Sequence, residues 1–249
     1  MAAALSIIPT DSSSFPPPNS PEFSALKSTL SASSTTLISS FSSPSTWKTG
    51  KTFHGTSTLS AVSPPGSGDT QGLKWHARSS THKVTGGWEA FRAGLMKDHS
   101  VHEQEYVEAC THARKVQVLE EGVAEVWQMS YKTPFPTSNR DFVFLLLTLD
   151  LTLPLSPSSP PQSGPRRFQI ISIPVVHPDA PVRKGYVRGR YVAVEDVEEA
   201  ENGEVLWRMA TASSAEGSIP KSVADMAMPG TIAEDVPSFV KWLSKREKQ

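Results

Sequence analysis

The C-terminal part of the chain constrains the fold most, because it carries one long helical pattern after a series of strand patterns. Apolar side chains recur at helical spacing in residues 218–243 and form a stripe along one side of the helix. Pro229-Gly230 and Pro237 are expected to kink this helix or to split it in two. An apolar stripe of this length needs a second layer to cover it, and the preceding strands can supply that layer.

The central part of the chain has the period of two that is typical of β-strands. Residues 123–131, 186–194 and 205–213 alternate between apolar and polar side chains. Residues 142–149 and 168–176 are almost continuously apolar, as expected of strands buried on both faces. All five stretches are far shorter than the ~20 residues that span a bilayer as a helix. The sequence therefore predicts an α+β fold with a mainly antiparallel sheet.

The first part of the chain differs in composition, since it is rich in Ser, Thr and Pro. We interpret residues 1–46 as a low-complexity extension with a single helical pattern, and residues 47–249 as the folded domain. Within that domain, residues 55–72 and 153–166 have the composition of flexible linkers or loops. Such segments offer too little apolar surface to offset the entropy that is lost on ordering.

Composition also excludes several classes of function. The formal net charge of −1 gives no overall attraction to nucleic acid phosphates, so nucleic acid is not an expected partner. The single cysteine, Cys110, excludes an intramolecular disulfide and a thiolate zinc site, and it fits a reducing compartment. Because the N-terminal residues show neither a signal peptide nor an Arg-rich transit peptide, we expect a cytoplasmic protein.

Several motifs in a fixed order resemble those of START lipid-transfer domains. The block NRDFV at 139–143 resembles the opening of a central START strand, and SIPV at 172–175 and GYVRGRY at 185–191 follow in START-like order. The helical pattern at 218–243 resembles the C-terminal START helix that covers the ligand cavity. The resemblance rests on the order of these motifs as much as on any one of them.

Four longer blocks resemble more narrowly a START-like family of uncharacterised fungal proteins. They are WKTGKTFHG at 47–55, PFPTSNRDFV at 134–143, KGYVRGRYV at 184–192 and WRMATASS at 207–214. This similarity extends over residues 47–249. It implies a helix-grip fold of the SRPBCC/Bet v 1 type, in which a curved antiparallel sheet grips the long C-terminal helix. It also implies an internal cavity that holds an apolar small molecule, above all a lipid.

The candidate cavity residues lie on the alternating strands and on the C-terminal helix. They are Trp127, Met129, Tyr131, Trp207 and Met209 on the strands, and Met226, Ile232, Val236, Phe239 and Val240 on the helix. These residue types suit a cavity wall and a filled core equally well.

A second set of candidates lies on one strand face, where the period of two places Tyr186, Arg188 and Arg190 together. If that face is concave, the two buried cations need an anionic partner, such as a carboxylate or phosphate of the ligand. The alternative is that both arginines face solvent or pair with acidic side chains of the protein.

No local pattern supports catalysis, a metal site or a cofactor. The sequence has no GxSxG motif, and the glycines of GYVRGRY lie inside a strand, where they form no phosphate-binding loop. His99, His102 and Glu103 could approach one metal ion from a helix, but their polar neighbours favour a solvated surface. We therefore expect a non-catalytic carrier or sensor, with an apolar small molecule or lipid as its partner and a membrane as a transient contact.

Two alternative functions stay open at this point. The first is a cavity enzyme of fungal metabolism, cyclase-like or hydrolase-like, in which Tyr186, Arg188 and Arg190 would be the first candidates for chemistry. The second is a protein-interaction module with a filled core, controlled by phosphorylation of its Ser/Thr-rich N-terminus. In the carrier, the C-terminal helix moves to admit the ligand, and Pro229-Gly230 supplies a hinge.

Overall fold

The structure is a computed structural model, and it describes residues 5–134, 136–152, 165–217 and 219–246. These residues form an α+β fold with eleven strands, four α-helices and a π-helical turn. In chain order the strands are β1 (Thr10–Asp11), β2 (Lys48–Phe53), β3 (Thr56–Ala61), β4 (Trp75–His82), β5 (Cys110–Glu120), β6 (Ala124–Tyr131), β7 (Asn139–Asp150), β8 (Arg167–Val176), β9 (Tyr186–Arg188), β10 (Arg190–Glu199) and β11 (Val205–Ser214). The helices are α1 (Pro21–Ser39), α2 (Gly87–Phe91), α3 (His99–Tyr106) and α4 (Lys221–Arg246), and the π-helical turn is Arg92–Met96.

The strands form one curved sheet in the order β2-β3-β4-β11-β10-β8-β7-β6-β5. Every pair of neighbours along this path is antiparallel, while β1 joins β8 and β9 joins β7 in parallel. The long helix α4 follows the last strand and packs on this sheet. The predicted mainly antiparallel sheet with a C-terminal helix is therefore confirmed.

The sheet has two apolar faces, because successive side chains of a strand point to opposite sides. In β6, for example, Val126 belongs to the hydrophobic cluster that includes α1, whereas Trp127 belongs to the cluster that includes α4. We call the face with Val126 the outer face and the face with Trp127 the inner face. Helices α2, α3 and α4 cover the inner face, and helix α1 covers the outer face.

Helix α1 begins with a well-formed N-terminal cap. The Ser20 side chain accepts a hydrogen bond of 3.1 Å from the Phe23 backbone N–H, and Pro21 occupies the first helical position. The helix buries Leu30 on the outer face of the sheet. It is also held by polar contacts, since Ser31 Oγ donates to Gln169 Oε1 at 2.9 Å. The single helix expected within residues 1–46 is thus present, and it shares a core with the sheet.

The structure describes one of the two segments predicted to be flexible linkers or loops, and almost none of the other. Residues 55–72 are not simply a linker, because they contain strand β3, which pairs with both β2 and β4. The low apolar content misled this prediction: Thr56 and Thr58 are buried although polar, and the neighbouring strands supply the backbone hydrogen bonds. The predicted loop 153–166 lies outside the described residues, except for its last two positions.

The first residues of the described chain are also packed against the sheet. Leu5 and Ile7 are fully buried, and β1 pairs with β8. The boundary between residues 46 and 47 stays a prediction, which a deletion can test.

Helix α4 runs through both of its prolines as a single helix, so the predicted split does not occur. Its apolar stripe buries Ile232, Val236, Phe239 and Leu243. Met226 was expected on the same stripe, and this expectation is wrong, because its side chain is 79% exposed. At about 100° per residue, Met226 lies roughly 110° from the centre of the buried stripe.

Candidate functional site

The inner face brings together most of the apolar candidate residues. Trp127, Met129 and Trp207 from the strands and Ile232, Val236 and Phe239 from α4 are all buried at or beneath the helix. Tyr131, Met209 and Val240 are half-buried, and Tyr131 and Val240 pack against the same inner cluster. The sequence therefore placed these side chains on one side of the sheet, but whether they contact a ligand stays a prediction.

Aromatic rings form the centre of this inner cluster. The Phe239 ring lies 5.1 Å from Phe91 and 5.2 Å from Trp207, measured between ring centroids. Tyr106 of α3 approaches the same ring at 5.4 Å. Gly94 of the π-helical turn lies so close that a Cβ atom there would be 2.9 Å from the Phe239 ring. Phe239 thus joins α4 to the sheet and to the segment from α2 to α3.

Tyr186, Arg188 and Arg190 do not lie on the inner face, so their placement at the cavity is a wrong expectation. Because β9 pairs with β7, Arg188 lies opposite Asp141, and its Nη2 donates to the buried Asp141 carboxylate at 2.8 Å. Asp141 shares its side of β7 with Val143, a member of the outer cluster. Arg190 likewise has the outer-face orientation in β10 and forms an ion pair with Glu216. Both arginines therefore find their partners within the protein.

A connected series of polar side chains crosses the inner face, and we call it the polar row. Tyr131 donates a hydrogen bond of 2.5 Å to Glu103 of α3. His99 Nδ1 donates a hydrogen bond to the Leu95 carbonyl oxygen. The other ring nitrogen, Nε2, lies 3.8 Å from a carboxylate oxygen of Glu103 and 3.8 Å from one of Glu195. The polar row thus joins α3 to the middle of the sheet.

The polar row continues from Glu195 to the strands β11 and β4. The carboxylate of Glu195 accepts a 2.7 Å hydrogen bond from Trp207 Nε1, and it lies 3.6 Å from Arg78 Nη2. The row therefore links four strands and α3 beneath the C-terminal helix.

Arg78 is the most unusual member of the polar row. Its side chain is only 1% exposed, and its guanidinium carbon lies 3.9 Å from the centroid of a Trp207 ring. Among the residues that the structure describes, its Nε and Nη1 atoms have no hydrogen-bond partner. A buried N–H group without a partner costs about 1 to 3 kcal/mol. Arg78 thus places two donor nitrogen atoms close to the Trp207 ring, and neither has a hydrogen-bond acceptor among the described residues.

Burial shifts the titration of the groups around the polar row. Removal from water raises the pKa of Glu103, and the nearby charge of Glu195 adds to this effect. The carboxyl group of Asp235 on α4 behaves likewise, and burial raises its pKa to about 7. Burial lowers the pKa of Arg78, although the Glu195 carboxylate opposes this shift. The interior thus holds several carboxyl groups close to one arginine.

Sequence reasoning named Tyr131 and Trp207 as cavity candidates, but it missed Arg78 and the polar row that connects these residues. The sequence WHARSSTH of β4 alternates, and Arg78 lies on its polar side; the period alone does not reveal that both sides of this strand are buried. The surroundings of His99 and His102 indicated a solvated surface, which is wrong, because both are buried. Within the described ranges, no group of three His, Cys, Asp or Glu side chains could hold a metal ion.

A groove opens at one end of the inner face, and we call it the side groove. It lies between the π-helical turn and the β5–β6 turn at Gly122, and it has a volume of about 440 Å³. Met96 of the π-helical turn, His99 of α3 and Leu146 of β7 line it.

In the part of the chain that the structure describes, no helix is long and apolar enough to cross a membrane.

The fold is that of the START lipid-transfer domains. Human StAR-related lipid transfer protein 5 matches with a TM-score of 0.69 and 17% identity, covering 89% of this chain and 97% of that protein. Human STARD10 matches with a TM-score of 0.67 and 17% identity, covering 84% and 78% of the two chains. A STAR-related lipid transfer protein of Xanthomonas axonopodis matches at 0.60 and 17%, covering 80% of this chain and 98% of that fragment. The predicted START-like architecture is confirmed.

Within this fold class the chain belongs to the family described as "Protein of unknown function (DUF3074)", whose model matches residues 75–243. An uncharacterised protein of Schizosaccharomyces pombe is 24% identical over 180 residues, which cover 70% of each chain. The resemblance to a fungal START-like family of unknown function is thereby confirmed.

Proposed function

We propose that the protein binds an apolar small molecule of the lipid class between the inner face of the sheet and helix α4, as a non-catalytic carrier. The aromatic cluster around Phe239 would contact the apolar part of the ligand, and the polar row would contact its polar end. The similar human and bacterial proteins are named for lipid transfer, which supports a lipid here. A carrier of this kind exchanges its ligand at a membrane, so transient membrane contact is part of the proposal.

The observation that carries this proposal is the state of Arg78. A fully buried guanidinium whose Nε and Nη1 atoms have no hydrogen-bond acceptor is costly for stability, and buried groups with shifted pKa values cluster at functional sites. Separate oxygen atoms of a ligand head group can accept hydrogen bonds from Nε and from Nη1, which point to different sides of the guanidinium. The packing of the aromatic rings around it implies that α4 or nearby side chains shift outward when the ligand binds.

Replacing Arg78 tests this proposal directly. Arg78→Met keeps most of the side-chain volume but removes both donors, so affinity for a bound lipid should fall about 10- to 100-fold, as for loss of 1.5 to 3 kcal/mol. Arg78→Lys keeps the charge but not the planar array of N–H donors, and it should also weaken binding. Titrations with oleate, ergosterol and phosphatidylcholine measure the affinities, and circular dichroism verifies folding.

The matched control is Arg190→Met, which changes the same residue type on the outer face. Because Arg190 pairs with Glu216, its replacement should leave the affinity for every lipid unchanged. Equal lipid affinities of the wild type and folded Arg78→Met would contradict the proposed role of Arg78. A loss of lipid affinity in Arg190→Met but not in Arg78→Met would instead indicate a ligand site on the outer face.

A further inference from the structure

The side groove and the interior share side chains, although the groove opens to solvent. Met96 and Leu146 line the groove and also pack in the inner cluster. The ring of His99 lines the groove as well, while its Nε2 atom faces Glu103 and Glu195 of the polar row. A single layer of side chains therefore separates the groove from the interior.

The composition of the side groove suits the passage of an amphipathic molecule. Met96 and Leu146 make part of its wall apolar, and charges of both signs line the rest, at Arg92, Lys97, Asp98, Glu121 and Glu125. Its volume of about 440 Å³ falls within the range of small-molecule sites, roughly 300 to 1,000 Å³. The groove can therefore hold part of an acyl chain or a ring system.

The π-helical turn forms one wall of the side groove. A π-helical turn is uncommon and is found disproportionately at functional sites, because its wider hydrogen-bonded ring is less stable than that of an α-helix. Immediately after it, Asp98 adopts a left-handed backbone with φ of 48°. Two sparsely populated backbone conformations thus adjoin this wall of the groove.

Helix α4, in contrast, contacts the rest of the fold both in its buried second half and near its first turns. Phe239 is fully buried among aromatic rings, and the Trp242 side chain donates a 2.9 Å hydrogen bond to Glu105 of α3. Near the other end, Asp225 lies 3.7 Å from Lys74. Lifting α4 to admit a ligand would expose Phe239 and the rest of its stripe to water.

From these observations we propose that the side groove is the mouth of the ligand site, through which the apolar ligand passes while α4 stays in place. The route runs between the π-helical turn and the β5–β6 turn, past Met96, Leu146 and His99, to the polar row. This inference rests on the proposed lipid-carrier function. It replaces the hinge at Pro229-Gly230 as the site of opening.

Stopped-flow fluorescence with two probes, cis-parinaric acid and dehydroergosterol, tests the route. Ala93→Trp places a large ring at the exposed rim of the groove, and it should slow both association and dissociation of a bound probe at least tenfold, with the equilibrium affinity nearly unchanged. Lys97→Trp, also on the rim, should act in the same direction. The control Ala227→Trp makes the same change on the exposed side of α4 and should leave both rates unchanged.

A second experiment fixes α4 in place. His54 and Glu234 lie 3.0 Å apart across β2–β3 and α4, so His54→Cys with Glu234→Cys can be joined by a short bismaleimide. Cys110 is buried, and burial raises its pKa to about 12, so it should not react. The tied protein should bind the probe at the wild-type rate.

The outcomes separate the route from the function. Normal rates in both rim variants, or loss of probe uptake in the tied protein, would overturn the side groove as the mouth while leaving the carrier function intact. Failure of the wild-type protein to bind either probe would overturn the carrier function, and the proposed route with it.

Discussion

Deleting residues 1–46 is expected to prevent folding of the remaining chain. The deletion removes six side chains that are at most 2% exposed, namely Leu5, Ile7, Phe23, Leu30, Leu37 and Ile38. Burying each stabilises a protein by about 1.5 to 3 kcal/mol, so the loss would total roughly 9 to 18 kcal/mol. That is comparable to the whole stability of a domain, about 5 to 15 kcal/mol. Circular dichroism and limited proteolysis of residues 47–249 provide the measurement.

Point variants in α1 give a graded version of the same test. Leu30→Ala should destabilise the full chain by about 2 to 5 kcal/mol, because the leucine is fully buried on the outer face. Ala32→Ser, on the exposed side of the same helix, should change stability by less than about 0.5 kcal/mol. A cooperative thermal transition of residues 47–249 at the temperature of the full chain would instead show that the first 46 residues are a separate extension.

Phe239→Ala is expected to be the most destabilising single substitution in α4. The ring is fully buried among neighbouring aromatic rings, so its loss should cost about 3 to 5 kcal/mol. For a chain of this size, such a loss lowers the melting temperature by roughly 6 to 20 °C. Met226→Ala is the matched control, because its side chain is 79% exposed and should contribute little.

The same variant separates a ligand contact from simple core packing. If Phe239 contacts the ligand, added lipid should raise the melting temperature of the wild type more than that of Phe239→Ala, since the weaker complex stabilises less. Equal lipid-induced shifts in the two proteins would remove Phe239 from the ligand site, and a destabilisation below 1 kcal/mol would contradict its role in packing.

The fold could be predicted where apolar side chains follow a simple period. Residues 142–149 and 168–176 lie within strands β7 and β8, and the stripe of α4 is found at Ile232, Val236 and Phe239. In these segments the apolar pattern and the final burial agree, so the local sequence is sufficient.

The polar strands could not be predicted in this way. Strands β2, β3 and β4 are rich in Ser, Thr, Lys and His, and their strand conformation depends on pairing with neighbours that are distant in sequence. Arg78 was missed for this reason, since nothing local shows that its side of β4 faces the interior. Pairing with distant strands thus makes a strand of a segment that composition alone would assign to a linker.

The placement of Arg188 failed for a related reason. The alternation from Tyr186 to Arg190 correctly put the arginines on one side, but it could not show which side faces α4. The parallel pairing of β9 with β7 sets Arg188 opposite Asp141, on the outer side. A contact between segments 47 residues apart therefore determined the role of this arginine.

Native mass spectrometry of the 249-residue chain measures directly whether a lipid is bound in its interior. The protein, purified without detergent and then incubated with a total lipid extract, is measured intact, and its bound molecules are extracted and identified. The proposed lipid binding predicts a one-to-one complex with an apolar molecule that carries an oxygen-containing head group, and a greatly reduced complex with Arg78→Met. Detection of the bare chain alone, in folded wild-type protein after incubation with lipid, would contradict it.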